Sequence, residues 1–462
     1  MKRRIGWVVC LMALAALLAG CANTDSQEEP AIDWIDPGFE SDMVKFEVGG
    51  ENLYRIEAMA EDQEYRYGFI DGNGKVVIPV IYDRAGEFTE GLCFVELGDR
   101  KAYIDPSGKE VLDMSEYITA GQFERGLTKV RRQVNTESDG AIKHSFLVGL
   151  MDKSGNEVLP CEYADVGVYQ NGVLWAERDN RYLIFSGSGE RVTETEYDYI
   201  WDAGDVDMLI VAQDGRVGYL DTGGNVAIPL EYEGAYPFFD GAAMVINYGE
   251  VSFINIDGEK LTPETFETGY DFYEGLCVVV RGGRYGYMNT SGELQIPLQY
   301  DDAYNFRNGV AVVINRIEGK SHYSTIDKNG DIAIVPEEQG LYKWNDAYIA
   351  YYSPSTLGEV DVDLDNMALL DSSGKRLTGF YYADIGDFKD GFAVATFYPG
   401  FGARHELLNK HGAIVAPYEF EKIEILNSRN CLVQLTDYTA GENNSRVGIL
   451  RLSAGAVNQK PE

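Results

Sequence analysis

Histidine is scarce in this chain. There are four in 462 residues, and His144, His322, His405 and His411 stand without the spacing of a metal motif, so they are expected at the surface. No Cys-x-x-Cys pair occurs, which leaves a zinc or redox centre without support. Basic residues are few, 39 against 75 acidic, for a formal charge of −36. A surface of that sign repels nucleic acid and anionic headgroups, which argues against either as a direct partner. The one long apolar run, Ile5 to Leu18, is too short for a stable span of a ~30 Å hydrocarbon core. No helical pattern follows Gly187-Ser188-Gly189 or Gly282-Gly283-Arg284-Tyr285-Gly286, so the first is no nucleophile elbow and the second no phosphate loop.

What the chain does have is a phrase that returns. Tyr67-Gly68-Phe69-Ile70-Asp71-Gly72-Asn73-Gly74-Lys75-Val76-Val77-Ile78-Pro79, with Tyr82 after it, is an apolar run, a turn, a second apolar run, a proline and an aromatic. The turn glycine recurs at Gly74, Gly108, Gly155, Gly189, Gly224, Gly258, Gly292, Gly330, Gly374 and Gly412, with a base period near 34 residues. Such a period marks a repeat array. Three residues before each glycine stands Asp, Asn or Ser, as in Asp71, Asn255 and Ser186. Short acceptors there bond turn amides, and the glycine supplies a positive-φ bulge position. These carboxylates are therefore read as turn chemistry, not catalytic pairs.

Proline five residues past the glycine is expected to end the strand or mark a sheet edge. An aromatic-x-x-Gly corner follows, such as Phe88/Gly91 or Phe306/Gly309, and then a strongly apolar run covered on both faces. Each unit thus reads as a meander of three short antiparallel strands. The expected fold is all-β, a tandem array of about ten such units, propeller-like, with an open superhelix as the alternative. The array begins near Phe46 and ends at Val447-Gly448-Ile449-Leu450, a last unit without its third strand. That missing strand argues against simple closure between the termini.

The N-terminus carries Lys2-Arg3-Arg4, the apolar run, and then Leu18-Ala19-Gly20-Cys21. This arrangement is a secretory signal whose final tetrad resembles the bacterial lipobox. The resemblance implies cleavage before Cys21 and diacylation of its sulfur, which anchors the protein to a membrane's outer face. The expected organisation is a signal peptide over 1–20, acylated Cys21 with a polar spacer over 21–45, a repeat domain over 46–452 and a tail over 453–462. The remaining cysteines, Cys93, Cys161, Cys277 and Cys431, are expected as buried free thiols in small apolar slots.

The repeated phrase resembles the WG-repeat family of bacterial proteins, most clearly at Tyr67–Asp71, Val148–Asp152, Val217–Asp221 and Tyr285–Asn289. The namesake tryptophan is Tyr or Val here. The resemblance implies a scaffold and carries no catalytic residues. No catalytic, cofactor-binding or metal residue is nominated; lipidation of Cys21 is the single site. The functional expectation is a tethered, extracytoplasmic, non-catalytic scaffold that binds a protein or glycan partner in the cell envelope. Polar insertions at 131–147, 316–322, 353–366 and 436–446 are the expected recognition loops. The alternative is an envelope enzyme with its site in those insertions.

Overall fold

The computed structural model describes residues 31–36, 44–138, 141–307, 309–334, 340–345, 348–353, 366–370, 375–379, 382–398, 402–416, 420–427, 429–437, 444–453 and 456. Cys21 and the leader lie outside them, as does Asp361-Val362-Asp363-Leu364-Asp365. Among the described residues there is no α-helix, and forty strands form eleven antiparallel sheets. The protein is all-β.

Sheet 1 shows the plan. Strands a (Val44–Val48), b (Leu53–Met59), c (Tyr65–Asp71) and d (Val76–Tyr82) lie side by side in chain order. Sheets 2 to 10 span 84–113, 119–163, 165–185, 199–232, 234–255, 268–300, 302–334, 340–370 and 384–409. The expected meander corresponds to b, c and d. Strand a is an addition to it, often two residues long, as at Arg84–Ala85.

The c–d hairpin follows the expected chemistry. Asp71 Oδ1 accepts the amides of Asn73 (2.9 Å) and Lys75 (3.0 Å), and Gly74 sits at φ 83°. Proline does not end the strand. Strand d runs through Pro79 to Tyr82: Phe69 pairs with Ile78 and Tyr67 with Tyr82, so Pro79, Val80 and Ile81 bulge opposite the single residue Gly68. Without a donor, proline suits this edge position. A Cβ on Gly68 would lie 2.7 Å from the Ile78 and Pro79 carbonyl oxygens, so glycine is what lets the bulge close down.

Successive sheets pack face to face through apolar clusters. Phe69, Ile78, Phe88, Cys93 and Val95 join sheets 1 and 2, and comparable clusters continue to sheet 8. Sheet 8 meets sheet 9 through Lys320–Asp327 and Gly340–Asn345. The corners add a second link. Glu90 Oε2 accepts the Gly126 amide (2.9 Å), Asp240 Oδ2 that of Gly275 (2.7 Å) and Glu274 Oε2 that of Gly309 (3.0 Å), each from one sheet to the next.

Two sequence expectations are corrected at the end of the array. Sheet 11 comprises Lys422–Asn427, Asn430–Asp437 and Asn444–Arg451, and its missing strand is supplied by Ala31–Trp34, paired antiparallel from Ala31↔Arg451 to Trp34↔Gly448. Residues 21–45 are therefore not all spacer. Sheet 11 also packs on sheet 1: Leu432, Val447 and Ile449 share a core with Val44, Phe46 and Ile56. Ser445 Oγ donates to the Val44 carbonyl and Lys422 Nζ to that of Phe46, both at 3.0 Å.

Candidate functional site

Most residues that carry chemistry in this sequence are engaged by the fold. The turn carboxylates Asp105 and Asp152 accept two amides each, and Asp221 accepts that of Asn225. Side-chain donors Ser107, Asn156 and Asn225, together with those amides, hold their carboxyls below the usual range. Asp327 likewise accepts the Asn329 and Asp331 amides at 2.9 Å. Cys93, Cys161, Cys277 and Cys431 are free and buried, as expected. Burial pushes the Cys93 and Cys431 thiols up to about 12 and that of Cys161 to about 11. His322 is exposed, but His405 is not at the surface: it is half-buried, its Nδ1 is 3.0 Å from Thr396 Oγ1, and burial lowers its pKa.

The insertions fall in one structural place. All four lie between strands b and c: Leu127–Ser138 with Ala141–Asp152, Val310–Ile317 with Lys320–Asp327, Tyr348–Ser353 with Asn366–Leu370, and Asn430–Asp437 with Asn444–Arg451. The first two are hairpin extensions of the sheet. Residues 354–365 and 438–443 of the others lie outside the described residues.

A cavity of about 150 Å³ opens where sheets 1 and 11 meet, lined by Lys45, Phe46, Glu47, Arg55, Glu57, Lys422 and Gln434. Its cations already have partners. Arg55 pairs with Glu47 and donates to the Ala85 carbonyl at 2.6 Å. Lys422 bonds Phe46 and lies 5.1 Å above its ring, and burial holds its ammonium below the usual lysine range. These groups join two sheets.

One set of side chains has no such structural duty. Four residues beyond the aromatic that closes strand d, the backbone N–H bonds to strand b in unit after unit. Gly86, Gly121 and Gly386 make that bond at 2.9 Å, and Tyr236, Tyr270 and Tyr304 make it at 3.0, 3.1 and 2.9 Å. The fold asks for the backbone alone at this position. A Cβ at Gly86, Gly121 or Gly386 would find nothing closer than 3.6, 3.6 and 3.4 Å. Yet sheets 5 to 8 carry Trp201, Tyr236, Tyr270 and Tyr304 there, exposed by 47%, 38%, 45% and 54%. In sheet 4 the equivalent Gly167 is covered by the Trp175 indole, which a Cβ would meet at 2.5 Å.

Consecutive sheets thus present an aromatic row. Tyr199 stacks on Trp201 at 5.5 Å, and Tyr182 and Trp175 continue inward at 6.3 and 5.9 Å. At the other end, Asp302, Tyr323, Tyr270 and Tyr285 lie near Tyr304; burial first, then the Asp302 carboxylate, raises its phenol pKa. Aromatics at other fixed positions of the repeat belong to the core, as Tyr163, Tyr232, Phe238 and Phe306 do. The row differs because its column holds glycine in sheets 2, 3, 4 and 10 and large rings in sheets 5 to 8, the one signal that would have separated it.

The recurring hairpin and the eleven sheets define an all-β repeat protein. Within it, the family model of the WG containing repeat matches residues 67–100, 149–182, 218–249, 252–285 and 285–316. Repeats of this type are therefore present across the chain, each match running from strand c of one sheet into or past strand b of the next. No curated protein matches the chain. Similar solved structures include a eukaryotic initiation factor (11% identity, TM-score 0.37, covering 71% of this chain and 94% of that one) and the tricorn protease (10%, 0.29, 88% and 51%). TolB from Acinetobacter baumannii is another (11%, 0.23, 54% and 78%). Likenesses at these TM-scores carry no argument about what this chain does.

Proposed function

We propose that the chain is a non-catalytic binding scaffold, tethered through acylated Cys21 to the outer face of a bacterial membrane, whose eleven sheets close into a propeller-like ring. The aromatic row carries the binding reading. Large rings exposed on four successive sheets, where other units manage with glycine, serve something other than the fold. A rigid array that presents side chains in register is suited to an extended partner, met along several units at once. The acidic balance favours a neutral or cationic one.

The tether fits the fold's geometry. Nine residues, 22–30, separate Cys21 from the strand Ala31–Trp34. Fully extended they reach about 30 Å. Sheet 11 would then sit close to the bilayer, with sheets 5 to 8 across the ring from it and facing the envelope.

Two measurements test this reading. Cys21→Ser in the host is expected to abolish lipid labelling and release the protein from the detergent phase; unchanged partitioning would refute the anchor. Envelope material captured by the full chain is expected to be lost from a Tyr236→Ala/Tyr270→Ala/Tyr304→Ala variant. Equal capture by both would remove the row from the function, and turnover of an envelope substrate abolished by a single substitution would replace the scaffold with an enzyme.

A further inference from the structure

The surroundings of the row say what kind of ligand it takes. We infer that Trp201, Tyr236, Tyr270 and Tyr304 are a stacking platform for a glycan chain without acidic groups, an inference that rests on the scaffold reading above.

The backbone that carries the rings is fixed before any ligand arrives. Tyr236 donates its amide to Met244, and its carbonyl accepts the buried Tyr219 hydroxyl at 2.7 Å. Tyr304 is fixed in the same way by Val312 and by the Tyr287 hydroxyl at 2.8 Å. Each hydroxyl comes from the preceding sheet, so the backbone under the ring is tied to two sheets. Preorganisation of this kind lowers the entropy cost of binding.

The exposure of the rings separates sugars from proteins. A protein hot spot is a fully desolvated pocket packed about its anchor residues. Here all four rings stand well exposed, outside any such pocket. No stacking contact joins the four row rings to one another among the described residues. Packed sheets stand about 10 Å apart, which leaves each ring a face of its own. The negative face of an aromatic ring attracts the C–H face of a sugar. The Asp302 carboxylate near Tyr304 is an acceptor for its hydroxyls. That carboxylate, and the chain's charge of −36, repel a uronic or phosphorylated polymer.

The test is calorimetric titration of the full chain with neutral cello-, xylo-, manno- and chito-oligosaccharides. Binding of at least one is expected, weakened about tenfold by each of Tyr236→Ala, Tyr270→Ala and Tyr304→Ala. The fold tolerates a short side chain there, since Gly86, Gly121 and Gly386 keep the same backbone bond. Tyr248→Ala, which removes an 88% exposed tyrosine from a b–c turn outside the row, is expected to change nothing. Binding indifferent to the row substitutions would overturn the placement. No binding of any oligosaccharide, with envelope protein still captured by the native chain and lost from the triple variant, would overturn the glycan and leave the scaffold standing. Failure of both assays would end both readings.

Discussion

At the residue scale, the turn acceptors tie the fold to pH. Asp105, Asp152 and Asp221 have pKa values below those of an unfolded chain, where aspartate titrates near about 3.9. Their contribution is complete above that value and is lost as pH falls through the lower folded values. Asn255, Asn289 and Asn409 do the same job uncharged: Asn255 Oδ1 accepts the Glu259 amide at 2.8 Å and Asn289 Oδ1 that of Glu293 at 3.0 Å. An Asp105→Asn/Asp152→Asn/Asp221→Asn variant is therefore expected to fold at neutral pH and to show a smaller drop in Tm than the native chain between about pH 5 and about pH 3. The carboxylates are exposed and solvent-screened, so the difference is small. Parallel Tm curves for the two proteins would show that the turn carboxylates contribute nothing acid-linked. This chemistry was legible in the sequence because Asp-x-x-Gly has one common physical use between two apolar runs.

At the element scale, the glycine of the repeated phrase decides how far strand d forms. Gly68, Gly149, Gly218 and Gly286 stand opposite seven-residue d strands, each bulged in the same register. With Ala102 the strand shortens to Glu110–Asp113. With Leu183 or Ser252 in that slot, strand d is reduced to isolated bridges such as Tyr182↔Tyr197 and Val251↔Phe266. A side chain there occupies the space into which the bulge would fold. Gly286→Ala, whose Cβ would lie 2.7 Å from the Ile296 and Pro297 carbonyl oxygens, is expected to cost about 1–3 kcal/mol in urea unfolding. Gly234→Ala, with its nearest neighbour at 3.6 Å, is expected to stay within about 0.5 kcal/mol. Similar losses for both would mean that close approach is not what the glycine provides. The three longer strands could be read from apolar runs. Strand a could not, because two residues carry no periodicity, and the choice between a strand end and a sheet edge at proline could not be made, because a bulge leaves no mark on composition.

At the scale of the whole molecule, the phase of the repeat sets the ends. Each family match begins in strand c and runs into or past strand b of the following sheet. An array in this phase leaves its last strand c without a strand d, and the segment before sheet 1 takes that place. Ile32 packs against the last core cluster, and Arg451 Nε lies 2.5 Å from Asp33 Oδ2. The pairing was not legible in the sequence because four residues in an acidic stretch find their partner more than four hundred residues away. The proposed tether would join the chain at this seam, so the proposals of anchoring and of closure rest on one strand. Hydrogen exchange on the full chain and on Ile32→Pro tests it most directly, since proline removes a ladder donor from Ala31–Trp34. The account predicts that amides of Asn444–Arg451 lose protection in the variant while those of 199–300 keep theirs. Unchanged protection across Asn444–Arg451 would contradict closure by the N-terminal strand.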